Sequence, residues 1–175
     1  MKSLWSAVIV LVLSSFAFSA DVQNLNIALE EDGIHVGFAL IDAFGDDVLA
    51  QIKSGLETTF TVKVRVDQDR ELWFNRRIQE RELRLSCIFD NVASAYRITK
   101  SLDGDVFESV VVDTDAEMRK AMTTVSRLKI LDNNILKHNA DYILRVKGEL
   151  MSRYVLLVIP WDIDTPWREK HFTFN

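Results

Sequence analysis

SGLETTFTVKVRV, residues 54–66, holds the change of period on which the fold turns. Upstream of it, in DAFGDDVLAQIKSGL, Val48, Leu49 and Ile52 recur at helical spacing behind Asp46 or Asp47 as the expected N-cap. Gly55 stops that helix, because glycine takes the left-handed position after the last turn without steric cost. Leu56 is then placed to fold apolar surface back, and Lys53 suits the negative end of the helix dipole. Downstream the period drops to two. Phe60, Val62, Val64 and Val66 face one way, and Thr61, Lys63 and Arg65 face the other. A strand with one face on a core and one in water needs this pattern, so the bases read as scaffold rather than as a site.

The same alternation recurs on both sides of this stretch. Leu25, Ile27 and Leu29, then Ile34, Val36, Phe38 and Leu40, flank the turn residues EEDG (30–33) and predict a hairpin. Over 71–90 the apolar phase appears twice, first in Leu72, Phe74 and Ile78, then in Leu83, Leu85, Cys87 and Phe89. A turn or bulge in QERE (79–82) is expected to shift the register. Asp103-Gly104 is a strong hairpin signal between two β-rich runs. Thr114 with Glu117 forms a capping box for a second short helix, whose apolar face is Met118, Ala121, Met122 and Val125. Further strands are expected over 128–131, 142–150, 154–159 and 172–174.

In ILKHNADYILRV (135–146), Leu136 precedes Tyr142 by six residues, and Tyr142 opens an alternating strand with Leu144 and Val146 inward. This is the pattern of a tyrosine corner, in which a hydroxyl near a strand start bonds upstream backbone. Together with the hairpin-compatible order and the lack of repeated βαβ alternation, it predicts a mainly β fold. The expected architecture is a Greek-key β-sandwich of immunoglobulin or fibronectin type III kind, with two short helices, as one domain over 21–175.

The first twenty residues, MKSLWSAVIVLVLSSFAFSA, set Lys2 before an apolar centre from Leu4 to Leu13 and end in small residues. They read as a signal peptide for export to the periplasm, with an uncleaved inner-membrane anchor as the alternative. With 48% hydrophobic residues, the remainder has material for a sizeable core. A formal charge of −5 argues against nucleic acid or an anionic membrane as a general partner unless the bases gather on one face. Cys87 is the single cysteine, which rules out an internal disulfide. Its phase with Leu83, Leu85 and Phe89 predicts a buried, inert thiol.

No HExxH, CxxC, nucleophile elbow or phosphate-cradling glycine loop occurs, so no catalytic residue, cofactor or metal is expected, and the protein reads as a non-enzyme. His35, opposite Val36 and Phe38, is expected to be a solvated surface residue, as are His138 and His171. The acids of DTDAE (113–117) lack the pattern of a calcium loop and are accounted for by capping. Asp162 and Asp164 in WDIDTPW (161–167) are too few hard ligands on their own. The best binding candidate is ELWFNRRIQERELR (71–84). There Trp73, Arg76, Arg77, Arg81 and Arg84 combine aromatic and guanidinium groups on what is expected to be an exposed sheet face. Glu71, Glu80 and Glu82 interleave with them as neutralising neighbours.

Four stretches, FALIDAFGDDVLAQIKSGLETTFTVKVRV (38–66), LWFNRRI (72–78), RLSCIFDNVASAYRI (84–98) and ADYILRVKGEL (140–150), make the chain resemble a secreted bacterial family, domain of unknown function 4390. The resemblance implies a Gram-negative envelope setting and supplies no catalytic residues. It suggests as a partner the periplasmic domain of a membrane sensor kinase of the nitrogen-regulation type. The expected function is therefore a periplasmic interaction module presenting a sheet face or loop to an envelope protein. A small-ligand or cell-wall binder is the alternative, and it would need a concave pocket of ~300 Å³ or more.

Overall fold

Val62, Val64 and Val66 lie on one face of a strand whose other face carries Lys63 and Arg65, and the rest of the chain arranges itself about that strand. The structure is a computed structural model that describes residues 20–70, 72–155 and 159–175, with side chains over these except 151–163. In chain order the elements are β1 (Asp21–Glu30), β2 (Gly33–Ile41), α1 (Asp46–Lys53), β3 (Thr58–Gln68), β4 (Arg76–Asp90), β5 (Ala95–Leu102) and β6 (Asp105–Val112). There follow α2 (Asp115–Thr123), β7 (Thr124–Leu131), a 3₁₀ turn (Asn133–Ile135), β8 (Ala140–Val155), β9 (Ile159–Asp164) and β10 (Arg168–Phe174).

The strands form two antiparallel sheets. One has the order β1-β2-β7, and the other runs β10-β8-β3-β4-β5-β6 with β9 also on β8. In both, a strand from late in the chain returns beside an early one, as a Greek key requires. The β1-β2-β7 and β10-β8-β3 orders are those of strands A-B-E and G-F-C in immunoglobulin-type sandwiches, and β4, β5 and β6 extend the second sheet. The protein is a β-sandwich with two short helices.

The core lies between the inner faces. Ile34, Val36, Phe38 and Leu40 of β2 meet Phe60, Val62, Val64 and Val66 of β3, with Leu83, Leu85, Cys87, Ile98, Leu144 and Val146 completing the layer. Each helix sits at a crossing between sheets and buries one side into the same core, α1 through Val48 and Ile52, α2 through Met118 and Met122. The helices are tied to each other and to the larger sheet. Asp115 pairs with Lys53 at 2.7 Å and accepts the Tyr96 hydroxyl at 2.5 Å.

The tyrosine corner is formed. The Tyr142 hydroxyl accepts the Lys137 backbone N–H at 2.8 Å, and the side chain is buried and stacked on Phe172 at 5.5 Å. The strands on either side of it, β7 and β8, belong to opposite sheets. At the β5–β6 turn Asp103 and Gly104 both take positive φ, 52° and 95°, which a two-residue type I′ connection needs.

Several local expectations are corrected. Gly45, not Asp46 or Asp47, is the N-cap of α1, and both aspartates lie in the first turn, where their charge complements the positive end of the dipole. Gly55 does adopt positive φ (84°), but Leu56 is 59% exposed and folds nothing back. Residues 76–90 form one strand, and its bulge is at Ile78, where Val66 faces Gln79 and Asp67 faces Arg77. The shift is thus just before QERE, and Leu72 and Phe74 fall in the loop ahead of the strand. The run expected as a strand over 154–159 is divided, since Tyr154 and Val155 end β8 and Ile159 opens β9, while 156–158 lie outside the described residues. The expected export segment, 1–19 of its twenty residues, lies outside them too.

Replacing Tyr142 by Phe keeps the stacked ring but leaves the Lys137 N–H without its acceptor, so urea unfolding should show a loss of about 1 kcal/mol with an unchanged fold. Asp115 gives a pH test. The Lys53 ammonium, then the Tyr96 hydroxyl, hold its carboxyl below the ordinary 3.8. A depressed carboxylate stabilises the fold above its unfolded range, and that contribution is lost as pH falls through the folded value. Asp115→Asn should therefore melt lower at neutral pH and lose less stability than the parent on acidification below about pH 4.

Candidate functional site

On the outer face of the larger sheet, opposite charges pair across strands. Lys63 reaches Glu149 at 2.7 Å, Arg65 lies 3.3 Å from Glu80 and 4.7 Å above the Trp167 ring, and Arg145 holds Asp67 and Glu169 at 2.7 and 2.6 Å. Lys147 takes Asp164 at 2.5 Å, so that acid of WDIDTPW is already neutralised. The bases of SGLETTFTVKVRV are engaged in the sheet's own lattice of charges, as scaffold.

The five residues of the expected patch are not on one face. Strand β4 keeps Arg81 in phase with Leu83 and Leu85, opposite Val64, so Arg81 points to the inner side, where it pairs with Asp103 at 2.7 Å. Arg84 stands opposite Thr61 on the outer side and pairs with Glu82 at 2.7 Å. Trp73 is not on a sheet at all. It sits in the β3–β4 loop, 74% exposed, between Leu72 at 94% and Phe74 at 88%. Arg76 and Arg77 open β4 beside that loop. Arg77 is 2.8 Å from Glu80, while Arg76 makes no ion pair among the described residues.

The bulge at Ile78 and the tyrosine corner bring the start of β4 to face the β7–β8 connection. Between them is a cleft of about 200 Å³ lined by Gln68, Arg76, Arg77, Ile78, Ile135, Lys137 and Tyr142. Lys137 and Ile135 are exposed, and neither Lys137 nor the loop's Arg70 has an ion pair among the described residues. One end of the sandwich therefore carries three consecutive exposed apolar side chains and cations that make no ion pair among the described residues. Sequence reading found Trp73, Arg76 and Arg77 but missed Lys137 and Ile135, because only the corner's fold-back brings them near. Phe74 and Leu72 were misassigned to a core phase that the loop does not follow.

A second cleft, about 320 Å³, opens where the smaller sheet stops short of β5 and β6. It is lined by Arg81, Leu102, Asp105, Phe107, Arg127, Leu128 and Lys129. Its cations are satisfied, Arg127 by Glu30 and Lys129 by Asp132 at 2.7 Å, as Arg81 is by Asp103. The edge strand β6 beside it exposes Val106, Phe107 and Val111, and Phe107 forms a bulge that interrupts its pairing with β5.

His138 is exposed against the Phe174 ring, and His171 is 65% exposed with Asp69 at 3.9 Å. His35 departs from expectation. It is buried, 6% exposed, because β2 is the middle strand of its sheet and Ala28 and Lys129 flank it on either side. Cys87 is buried and its thiol is pushed up to about 11 by desolvation, so the thiolate is scarce at neutral pH. No helix among the described residues is long and apolar enough to cross a membrane.

Fold and site together define a two-sheet β-sandwich with helices at its crossings and a basic, aromatic loop end. The chain belongs to the family described as Domain of unknown function (DUF4390), which matches residues 17–169. No curated protein and no solved structure matches it.

The native protein should leave Cys87 unmodified by a thiol reagent at neutral pH for as long as it stays folded. Full stoichiometric labelling should appear only in denaturant, and rapid labelling without it would show that the inner layer opens.

Proposed function

We propose that this chain is an exported, non-enzymatic interaction module of the bacterial envelope, and that the loop end of the sandwich docks an acidic surface of an envelope protein. The observation that carries the reading is the set Leu72, Trp73 and Phe74, 94%, 74% and 88% exposed, flanked in sequence by Arg70 and Arg76, with Lys137 lining the same cleft as Arg76. Large apolar groups held in water are costly, and each contributes roughly 1.5–3 kcal/mol when fully covered by a partner. Surface ion pairs are worth about 0–1 kcal/mol each, so Trp73 and its neighbours would dominate affinity while the cations orient the partner. A rigid aromatic in a ring of polar groups is the usual centre of such an interface.

The periplasmic domain of a sensor kinase is the candidate partner that the family setting suggests, and it fits only if its docking face is acidic. The larger cleft supports a second reading, a small-ligand or cell-wall binder, through its volume of about 320 Å³. Its paired cations favour that reading less, because a ligand would have to displace internal partners.

The test is crosslinking in cells from a photoreactive residue placed at position 74. The parent should capture one envelope protein repeatedly. Trp73→Ala and Arg76→Glu should each abolish that capture while thermal unfolding followed by circular dichroism stays within a few degrees of the parent. If both variants capture the same protein in the same yield, the loop end is a solvated face and the reading fails.

A further inference from the structure

The two-residue turn between β1 and β2 gathers three groups that sequence reading left apart. Glu30 ends β1, Asp32 lies in the turn, and His35 stands two residues into β2 on the same face as Glu30. His35 Nδ1 is 3.8 Å from Glu30 Oε1, and Nε2 is 3.6 Å from Asp32 Oδ2. One ligand atom from each of the three residues falls within 4.8 Å of the others. The second observation concerns the imidazole itself. His35 is buried, and Nδ1 has no hydrogen-bond partner. A buried ring nitrogen without a hydrogen-bond partner is costly, and such an orphan group calls for an explanation.

We propose that Glu30, Asp32 and His35 form a binding site for a divalent transition-metal cation of the zinc type. Imidazole nitrogen selects zinc and its neighbours in the series over calcium and magnesium, which prefer oxygen ligands alone. One nitrogen and two carboxylates leave the fourth tetrahedral position to water. Ligands at ~2.0–2.2 Å from one cation sit about 3.4 Å from each other, and one cation takes only one of the two divergent ring nitrogens, so the carboxylate beside the other nitrogen must swing across to join the trio. Asp32 can do so, since it is 56% exposed and sits in the turn.

The surroundings both hold and oppose the site. Asn133 Nδ2 donates to the Glu30 and Glu31 carbonyls at 2.6 and 3.3 Å and so fixes the end of the hairpin. Arg127 binds both carboxylate oxygens of Glu30 and must yield one of them to a metal. Lys129 lies 3.7 Å from Asp32 but 2.7 Å from Asp132, so it can leave Asp32 and keep its closer partner. Its ammonium is the competing cation at this position.

The purified protein titrated calorimetrically with zinc chloride should bind one zinc per chain and melt at a higher temperature when loaded. Calcium chloride at the same concentrations should give no such binding. Asp32→Asn should weaken zinc at least about tenfold, the scale on which loss of metal-site groups is felt. Lys129→Gln should strengthen it. These two exposed positions move affinity in opposite directions, which damage to the fold cannot do, so the test does not depend on the buried His35→Gln folding. A variant with both His138 and His171 changed to Gln should bind as the parent does. Zinc binding lost in that variant, unaltered by Asp32→Asn, or matched by calcium would overturn the site.

Discussion

Strand β3 is the constraint from which the remaining structure follows. It pairs along its length with β4 on one side and β8 on the other, and its inner face is shut against β2. A strand held so leaves its polar residues a single direction to point. Lys63, Arg65 and Asp67 must share one outward face with the polar residues of both neighbours, and charges at that spacing either pair or repel. They pair, across β4 at Glu80 and across β8 at Arg145 and Glu149. The polar side of β3 is thereby electrostatically closed, while Arg76 and Lys137, which make no ion pair among the described residues, lie where strands end.

That end is built by two departures from regular structure. The bulge at Ile78 re-aims the start of β4, and the Tyr142 hydroxyl pulls the β7–β8 connection down over it. Bulges and corners commonly occur where a sheet stops pairing and presents side chains to something else. Here they set Arg76 and Arg77, which follow the loop that bears Trp73, on one cleft with Lys137. The hairpin of β1 and β2 reaches the same end, joined to it through Asn133, whose amide bonds the Glu30 carbonyl. A docking surface and the proposed cation site would then be neighbours, although each stands on its own observations.

The helices illustrate a different economy. Each is too short to be stable alone, at 8 and 9 residues, and exists because its apolar side is buried at a crossing between sheets. Thr114 accepts the Glu117 N–H as a capping box should, and α1 does without a side-chain cap because the bond from Lys53 to Asp115 and the burial of Ile52 hold it in place.

Period and punctuation were legible in the chain. The alternation at Phe60 to Val66, the Asp103-Gly104 turn, the Thr114–Glu117 cap and the spacing of Tyr142 each depend on neighbours in sequence, and the sandwich with two helices could be read from them. The bulge at Ile78 could not, because a bulge obeys the partner strand's register rather than local composition. Burial of His35 was hidden for a similar reason: alternation says which side of a strand a residue takes, and only the neighbouring strands decide whether that side is wet. The arginines of 71–84 looked like one patch because they are close along the chain. Pairing within β4 sends Arg81 inward, Arg84 outward and Arg76 to the end of the sandwich, since side-chain direction in a strand reverses at every residue while ion pairs are made in space.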